Sequence, residues 1–325
     1  MEDQKQVINF AEIEDAIRRS GYLLERRVGA VFSDNGFHVD SNPAYPDPNT
    51  GKSREFDLSA YAAFDLLGRR SSIDFFGVLV SCECEDNHQP VAFFASKPDQ
   101  ANLYKDGVKC SGFPLSFRAS AGTASLVEIL AFESFHHYWK WPIASQYCSF
   151  GRKNTNSPWL ALHTEGHHET LTALTNVIRT RIDEHYRLLV DWGPEIFDVT
   201  NIRLHLPLMV LGGDLILVSE QGRKLRIRGS NYVQYRREVW RGETSEIFHI
   251  DIITEKFLTK YIAILHKEID EIRARAESDA KKVLNSLSAI SMHGKRKLTK
   301  DALRTICESP FRPARLKPPK IKDQK

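Results

Sequence analysis

Three carboxylates lie near the ends of two predicted strands. Asp57 lies in "REFDLSA", and Glu83 and Glu85 close the apolar stretch "IDFFGVLVSCECE". Because side chains alternate along a strand, Glu83 and Glu85 point to one face and Cys82 and Cys84 to the other. Two carboxylates on one face of a buried strand repel each other and are costly to desolvate. A cation must therefore offset them, either a Lys or Arg side chain or a bound metal ion.

The order of the elements indicates how these carboxylates could converge. "REFDLSAYAAF" alternates apolar and polar residues, and "GRRSS" predicts a turn into the next strand. If the two strands pair as an antiparallel hairpin, Asp57 lies beside Glu83 and Glu85 at one strand end. Glu25 lies on a predicted helix over residues 11–35 and can reach the same place. Hard divalent ions prefer such oxygen ligands, and they assist phosphodiester hydrolysis by stabilising phosphate charge and activating water.

These residues resemble those of the PD-(D/E)XK, or restriction-endonuclease-like, nuclease superfamily. The pattern consists of Glu25 on a first helix, Asp57 on a strand, and Glu83-Cys84-Glu85 on the next strand. The resemblance implies that Asp57, Glu83 and the Cys84 carbonyl bind Mg²⁺ or Mn²⁺. It also implies catalytic roles for Glu25 and Glu85. The expected function is metal-dependent hydrolysis of phosphodiester bonds in nucleic acid, with DNA as the expected substrate.

The resemblance covers residues 14–97 and departs from the superfamily in one position. Glu85 stands where the superfamily usually has Lys, although some type II restriction enzymes also carry Glu there. Glu85 could serve as a base or an extra ligand. Alternatively, Lys97 could reach back from the next element. The departure also leaves open that the nuclease site has decayed and that the protein only binds nucleic acid.

Other interpretations of the sequence remain beside this one. The carboxylates could lie at an exposed strand edge, paired with Arg54 or Arg69. The chain could be an interaction subunit that uses a long helix, predicted over 255–289, to form a homodimer or to bind another protein. Two His-containing segments are weaker candidates: "HTEGHHE" predicts a solvated helix start, and His136-His137 predicts packing among aromatic residues.

The remaining patterns predict an α/β protein with a restriction-endonuclease-like core of helix, mixed sheet and helix, followed by a second strand cluster and a long C-terminal helix. Within 97–165 only a short strand near residues 125–132 is predicted. A helix is predicted over 166–190. Two apolar runs joined by Gly-Gly-Asp predict a hairpin. Residues 1–293 form one predicted domain.

The charge and the composition of the chain indicate its expected cellular location and its charged surfaces. The chain has 325 residues, a net charge of +3 and five cysteines, an odd number that favours reduced thiols and a cytoplasmic location. We find no apolar run long enough to span a membrane. The tail, residues 294–325, is basic, contains Pro and is predicted to be flexible. Further phosphate contacts could come from four arginines, which fit the polar face of a sheet equally well: Arg226, Arg228, Arg236 and Arg237.

Overall fold

The chain forms a mixed α/β fold with one large mixed sheet and a C-terminal helix. The predicted tail 294–325 lies outside the described residues, so its flexibility stays a prediction. The computed structural model describes residues 8–18, 20–48, 50–65, 74–87, 89–98, 108–113, 116–119, 122–125, 130–163, 165–192, 200–222 and 224–278.

Four α-helices and sixteen strands make up the described part of the chain. The helices are α1 Phe10–Arg18, α2 Tyr22–Asp34, α3 Glu165–Trp192 and α4 Leu258–Ser278. The first eight strands are β1 His38–Ser41, β2 Ala44–Pro46, β3 Ser53–Glu55, β4 Leu58–Asp65, β5 Asp74–Glu85, β6 Val91–Ser96, β7 Lys109–Phe113 and β8 Ser116–Ala119. The others are β9 Gly122–Ser125, β10 Ile143–Gly151, β11 Leu160–Leu162, β12 Thr200–Leu211, β13 Leu215–Gln221, β14 Lys224–Ser230, β15 Tyr232–Arg241 and β16 Thr244–Thr254.

The predicted first helix is two helices, α1 and α2. Gly21 separates them with a φ of 79°, a left-handed conformation that glycine adopts without steric cost. After this break α2 buries Leu24, Val28 and Phe32, which are spaced four residues apart and share one helix face. Glu25 follows the first of these residues, so the packing of α2 fixes its position.

The large sheet has the strand order β1-β4-β5-β12-β16-β15-β10-β6-β13-β14. The predicted antiparallel pairing of β4 with β5 is confirmed, with Leu58 opposite Cys82. The strand predicted near residues 125–132 falls largely on residues 126–129, which lie outside the described residues. The strand β9 ends at Ser125, residues 132–134 form a short 3-10 helix, and the strand β10 follows.

The predicted hairpin between the two apolar runs is wrong. The runs are β12 and β13, and they pair with other strands: β12 with β5, β7 and β16, and β13 with β6 and β14. The intervening glycines are needed for close approach. A Cβ on Gly213 would lie 2.3 Å from the Asn87 carbonyl oxygen, and one on Gly212 would lie 2.7 Å from Asp86 Oδ1.

The sheet bends where β5 leads into β6 and β12 leads into β13. Leu211 is paired with Glu85 before the bend, and Leu215 is paired with Val91 after it. Both pairs of strands are parallel, so two neighbouring strands continue together through the bend. We name this region, residues 85–91 and 211–215, the sheet bend.

Two hydrophobic cores cover the two faces of the curled sheet. On one face, Leu171, Leu174 and Ile178 of α3 pack against side chains from β6, β10, β12, β13, β15 and β16. On the other face, α2 and α4 pack against β4, β5 and β12, and Cys82 lies in this second core. The predicted helix over 166–190 is therefore confirmed, and it positions one wall of the sheet bend.

The described part of the C-terminal helix is α4, which begins after a 3-10 turn at Glu255–Phe257. Its apolar side is buried in the core of the same chain. Residues 279–289 of the predicted helix lie outside the described part of the chain. The buried members of α4 are Leu258, Tyr261, Ile262, Leu265, Ile269, Ile272 and Ala276.

Candidate active site at the sheet bend

Asp57 and Glu83 lie in direct contact at the end of the β4–β5 hairpin. Asp57 immediately precedes β4, and its Oδ2 accepts the backbone N–H of Cys84 at 2.7 Å. The Asp57 and Glu83 carboxyls lie close enough for each to shift the pKa of the other. A hydrogen bond between them would require a proton on one of the two groups, because an ionised carboxylate can only accept hydrogen bonds.

The electrostatic setting of this pair is acidic on several sides. Burial, together with the carboxyls of Asp57, Glu85 and Glu25, raises the pKa of Glu83 to about 9. Burial also raises the pKa of Asp57, although the hydrogen bonds from Cys84 and Glu83 oppose this shift. Burial and the Asp57 carboxyl raise the pKa of Glu25. The four carboxyls thus form one electrostatically coupled group, which we call the carboxylate group.

The carboxylate group is looser than the sequence predicted. Asp57 and Glu83 touch, and Glu25 and Glu85 lie within electrostatic reach of them. Glu85 is turned toward α3, where its Oε1 accepts a hydrogen bond from Thr170 Oγ1. Asp57, Glu83 and Glu85 therefore do not place three ligand atoms within 4.8 Å of one another, as a tight metal-ligand triple would. The Cys84 carbonyl stays a predicted ligand.

Two cations considered as partners of these carboxylates lie elsewhere. Arg54 pairs with Asp47 at 2.7 Å, so its predicted pairing with Glu83 or Glu85 is wrong. Arg69 lies outside the described residues. Lys97 follows β6, whose six residues carry the chain roughly 20 Å from the sheet bend at about 3.3 Å per residue. A role of Lys97 beside Glu85 stays a prediction.

The helix α3 contributes to this site. The helix start predicted for "HTEGHHE" is confirmed, and Gly166, His168 and Glu169 are exposed as predicted. His167 and Thr170, however, are half-buried: Thr170 donates to Glu85, and His167 lies within electrostatic reach of it. Burial lowers the pKa of His167, the Glu85 carboxylate opposes that shift, and His163 adds to it. The clustering of three histidines just before Thr170 was the available signal. The proximity of His167 and Thr170 to Glu85 depends on how the sheet curls around α3.

Tyr147 and Arg237 complete the wall beside Glu85. Burial raises the pKa of Tyr147 to about 12, with Tyr235 and Glu85 adding to the shift and Arg237 opposing it. Arg237 donates to Thr172 Oγ1 at 2.6 Å, which ties β15 to α3. Tyr147 and His167 thus lie within electrostatic reach of Glu85, and Arg237 acts on Tyr147.

A second group of acidic side chains lies in the protein core. His137 donates from Nε2 to Asp251 at 3.0 Å and from Nδ1 to Glu268 at 2.9 Å. Burial lowers the pKa of His137, but Glu268 and Asp251 more than offset it and raise that pKa to about 10. Burial raises the pKa of Glu268, but His136 and His137 lower it to about 2. We call His136, His137, Asp251 and Glu268 the core ion network. The prediction for His136 and His137 was packing among aromatic residues and did not include this ion pairing.

The core ion network also offers ligand atoms at metal-binding spacing. His136, His137 and Glu268 are the one described group of three with ligand atoms all within 4.8 Å of one another, so this group could hold a metal ion. Both ring nitrogens of His137 face carboxylates, which suits a protonated imidazole, and a metal there would have to displace a proton. His136 Nδ1 accepts the Tyr138 N–H at 3.2 Å, and its buried Nε2 has no hydrogen-bond partner in the described part of the chain.

Comparison of the chain with known protein families, with curated proteins and with solved structures finds no match. The resemblance described above therefore rests on the residues and their arrangement alone. Among the helices that the structure describes, none is both long and apolar enough to cross a membrane.

Proposed function

We propose that the protein is a metal-dependent nuclease of the restriction-endonuclease-like type that hydrolyses phosphodiester bonds, with DNA as its substrate. The observation that carries the proposal is the Asp57–Glu83 contact, in which two partly buried carboxyls face each other with Glu25 and Glu85 nearby. Such an oxygen-rich group suits Mg²⁺ or Mn²⁺, because a hard cation offsets the mutual repulsion of the carboxylates.

The residues fit distinct roles in this activity. Asp57 and Glu83, with the Cys84 carbonyl, would hold the metal. When bound, the metal would stabilise charge on the phosphate and favour ionisation of a water molecule. The Cys84 N–H orients the Asp57 carboxylate. Glu85, fixed by Thr170 and flanked by His167, is the proposed general base, and Glu25 supports the group from α2.

Cleavage of plasmid and linear DNA tests this proposal. Wild type should cut in Mg²⁺ or Mn²⁺ and not in EDTA. Asp57→Asn keeps an oxygen that can accept the Cys84 N–H, yet it should lower the rate by ~10³-fold or more, because it removes a charged ligand. The matched control Asp270→Asn removes an exposed carboxylate on α4 and should cut like wild type. Metal-dependent cutting that survives Asp57→Asn would contradict the assignment.

A second candidate function is nucleic-acid binding without cleavage, and Glu85 in place of the usual Lys favours it. The variant Glu85→Lys separates the two. If wild type cuts and Glu85→Ala loses at least ~10²-fold in rate, Glu85 is a working part of the site. If wild type is inert in every metal and only Glu85→Lys cuts, the protein is a binding module with a decayed site.

A further inference from the structure

A row of exposed cations lies on β14, which comes last in the strand order of the large sheet. Lys224, Arg226 and Arg228 alternate with Leu225 and Ile227, and all five side chains are exposed. Among the described strands, β14 pairs with β13 only. We call the three cations the β14 basic row.

The β14 basic row and the carboxylate group share one face of the sheet. Residues directly opposite each other on neighbouring strands point to the same face. Arg228 is opposite Leu217, and Leu217 belongs to the core that packs on α3. Glu85 is paired with Leu211, which belongs to the same core. The basic row is therefore on the side of the sheet where the proposed chemistry takes place.

The positive charge of the row is not offset by its neighbours on β13. Ser219 lies opposite Arg226, and Gln221 lies opposite Lys224, and both are uncharged. The one carboxylate at the tip of β13, Glu220, lies opposite Leu225 and thus on the other face. The row therefore presents a continuous positive surface on the α3 side.

The spacing of the row suits a phosphate backbone. Alternate side chains on a strand are about 6.6 Å apart. This is close to two steps of the roughly 3.4 Å axial spacing of phosphates along one DNA strand. From Leu211 to Leu217 the chain covers six residues through the sheet bend, so these two positions are at most roughly 20 Å apart, the length of about six base pairs.

A second copy of the chain is a poorer occupant of this edge. Antiparallel pairing of β14 with itself would place Lys224, Arg226 and Arg228 among the same cations of the other copy, and like charges in opposed positions are destabilising. We propose that the β14 basic row binds the phosphate backbone of duplex DNA and holds the DNA across the sheet bend. The cleavage at the bend rests on the proposed function, whereas the binding by β14 does not.

The test is the salt dependence of DNA binding, measured by fluorescence anisotropy with a fluorescein-labelled duplex in Ca²⁺. The slope of log K against log salt is negative, and in Arg226→Gln/Arg228→Gln it should become shallower by about 0.9 for each lost phosphate contact. The matched control Lys260→Gln/Lys267→Gln removes two exposed cations from α4, on the other face, and should keep the wild-type slope. Equal slopes and affinities in both double variants would overturn the proposal.

A charge-preserving variant excludes a structural cause. Arg226→Lys/Arg228→Lys should keep most of the slope, because a lysine also neutralises a phosphate. If this variant loses the slope as fully as the Gln variant, the effect is not due to charge and the proposal fails. Circular dichroism and the unfolding midpoint should be the same in all of these proteins, since β14 is exposed.

The same samples, assayed for cleavage in Mg²⁺, separate this proposal from the proposed function. Metal-dependent cutting by wild type with an unchanged slope in Arg226→Gln/Arg228→Gln removes β14 from the DNA path and leaves the nuclease intact. A reduced slope without cutting in any metal supports β14 as a DNA-binding surface and contradicts the nuclease.

Discussion

The two acidic groups of this protein differ in what faces their carboxylates. In the core ion network, Asp251 and Glu268 both face the His137 ring, and the three side chains are 0%, 6% and 2% exposed. At the sheet bend, Asp57 and Glu83 face each other and remain partly accessible to solvent. The core group therefore contains its own cation, whereas the charged groups that act on Asp57 and Glu83 at the bend are other carboxyls.

The difference decides which group is suited to bind a metal. The same residue type has its pKa lowered to about 2 in Glu268 and raised to about 9 in Glu83. A lowered pKa shows that the fold already stabilises the charged carboxylate, and a raised pKa shows that it does not. The spacing of ligand atoms alone would select the core network. The charge balance instead favours the bend, as proposed above.

The largest expected effect on stability is in the core. Glu268→Gln leaves the His137 charge with one partner fewer in a dry environment, so it should lower the free energy of unfolding by about 3 to 5 kcal/mol. Denaturant unfolding checks this value. Asp270→Asn, two residues further along α4 and exposed, should change it by less than about 1 kcal/mol. An equally small loss in Glu268→Gln would show that the core network contributes little.

The loss of stability in Glu268→Gln should depend on pH, because the pKa values of His137 and Glu268 are both shifted. The pKa of His137 is raised from 6.5 to about 10, so its contribution is complete below pH 6.5 and is lost as the pH rises toward 10. The pKa of Glu268 is lowered from 4.5 to about 2, so its contribution is complete above pH 4.5 and is lost as the pH falls toward 2. The stability difference between wild type and Glu268→Gln should thus be greatest between pH 4.5 and 6.5. A difference that does not vary with pH would contradict the ion pairing.

At the sheet bend, removal of a carboxyl is expected to stabilise the protein and not to destabilise it. In EDTA at pH 8, Glu83→Gln should stabilise the protein by more than about 1 kcal/mol, because it removes a carboxyl whose ionisation the fold opposes. The same change should abolish cleavage. Thermal unfolding with and without Mg²⁺ measures both the stability without metal and the stabilisation by metal. Mg²⁺ should raise the unfolding midpoint of wild type and leave the midpoint of Glu83→Gln unchanged. Destabilisation of Glu83→Gln in EDTA would mean that the bend already holds an internal cation.

The smallest expected effect concerns the hydroxyl that holds Glu85. Thr170→Val keeps the shape of the side chain and removes the hydrogen bond to Glu85, which is worth about 1 kcal/mol. The cleavage rate should fall about 5-fold to 10-fold. Thr170→Ser should restore the rate, because it restores the hydroxyl. A rate in Thr170→Val equal to that of wild type would show that Glu85 needs no support from α3.

The sequence predicted the parts of this site that depend on local patterns. Alternation along β4 and β5 was sufficient to place Asp57 beside Glu83. The hairpin of β12 with β13 was wrong, because a Gly-Gly-Asp turn signal does not show that β5 is available as a parallel neighbour for β12.

The remaining contacts join residues that are far apart in the chain. Thr170 reaches Glu85 across 85 residues, and His137 reaches Glu268 across 131 residues. No local pattern contains such pairings, because they follow from how the sheet curls and which helix fills each face.

Calorimetric titration of Mn²⁺ into wild type, Asp57→Asn, Glu83→Gln and Asp270→Asn tests the central claim most directly. The claim is that the carboxyls at the sheet bend, and not those of the core ion network, bind the metal. It predicts one site in wild type and in Asp270→Asn, and affinity at least ~10-fold weaker in Asp57→Asn and Glu83→Gln, since each loses a charged ligand. No binding by wild type, or equal binding by all four proteins, would contradict it.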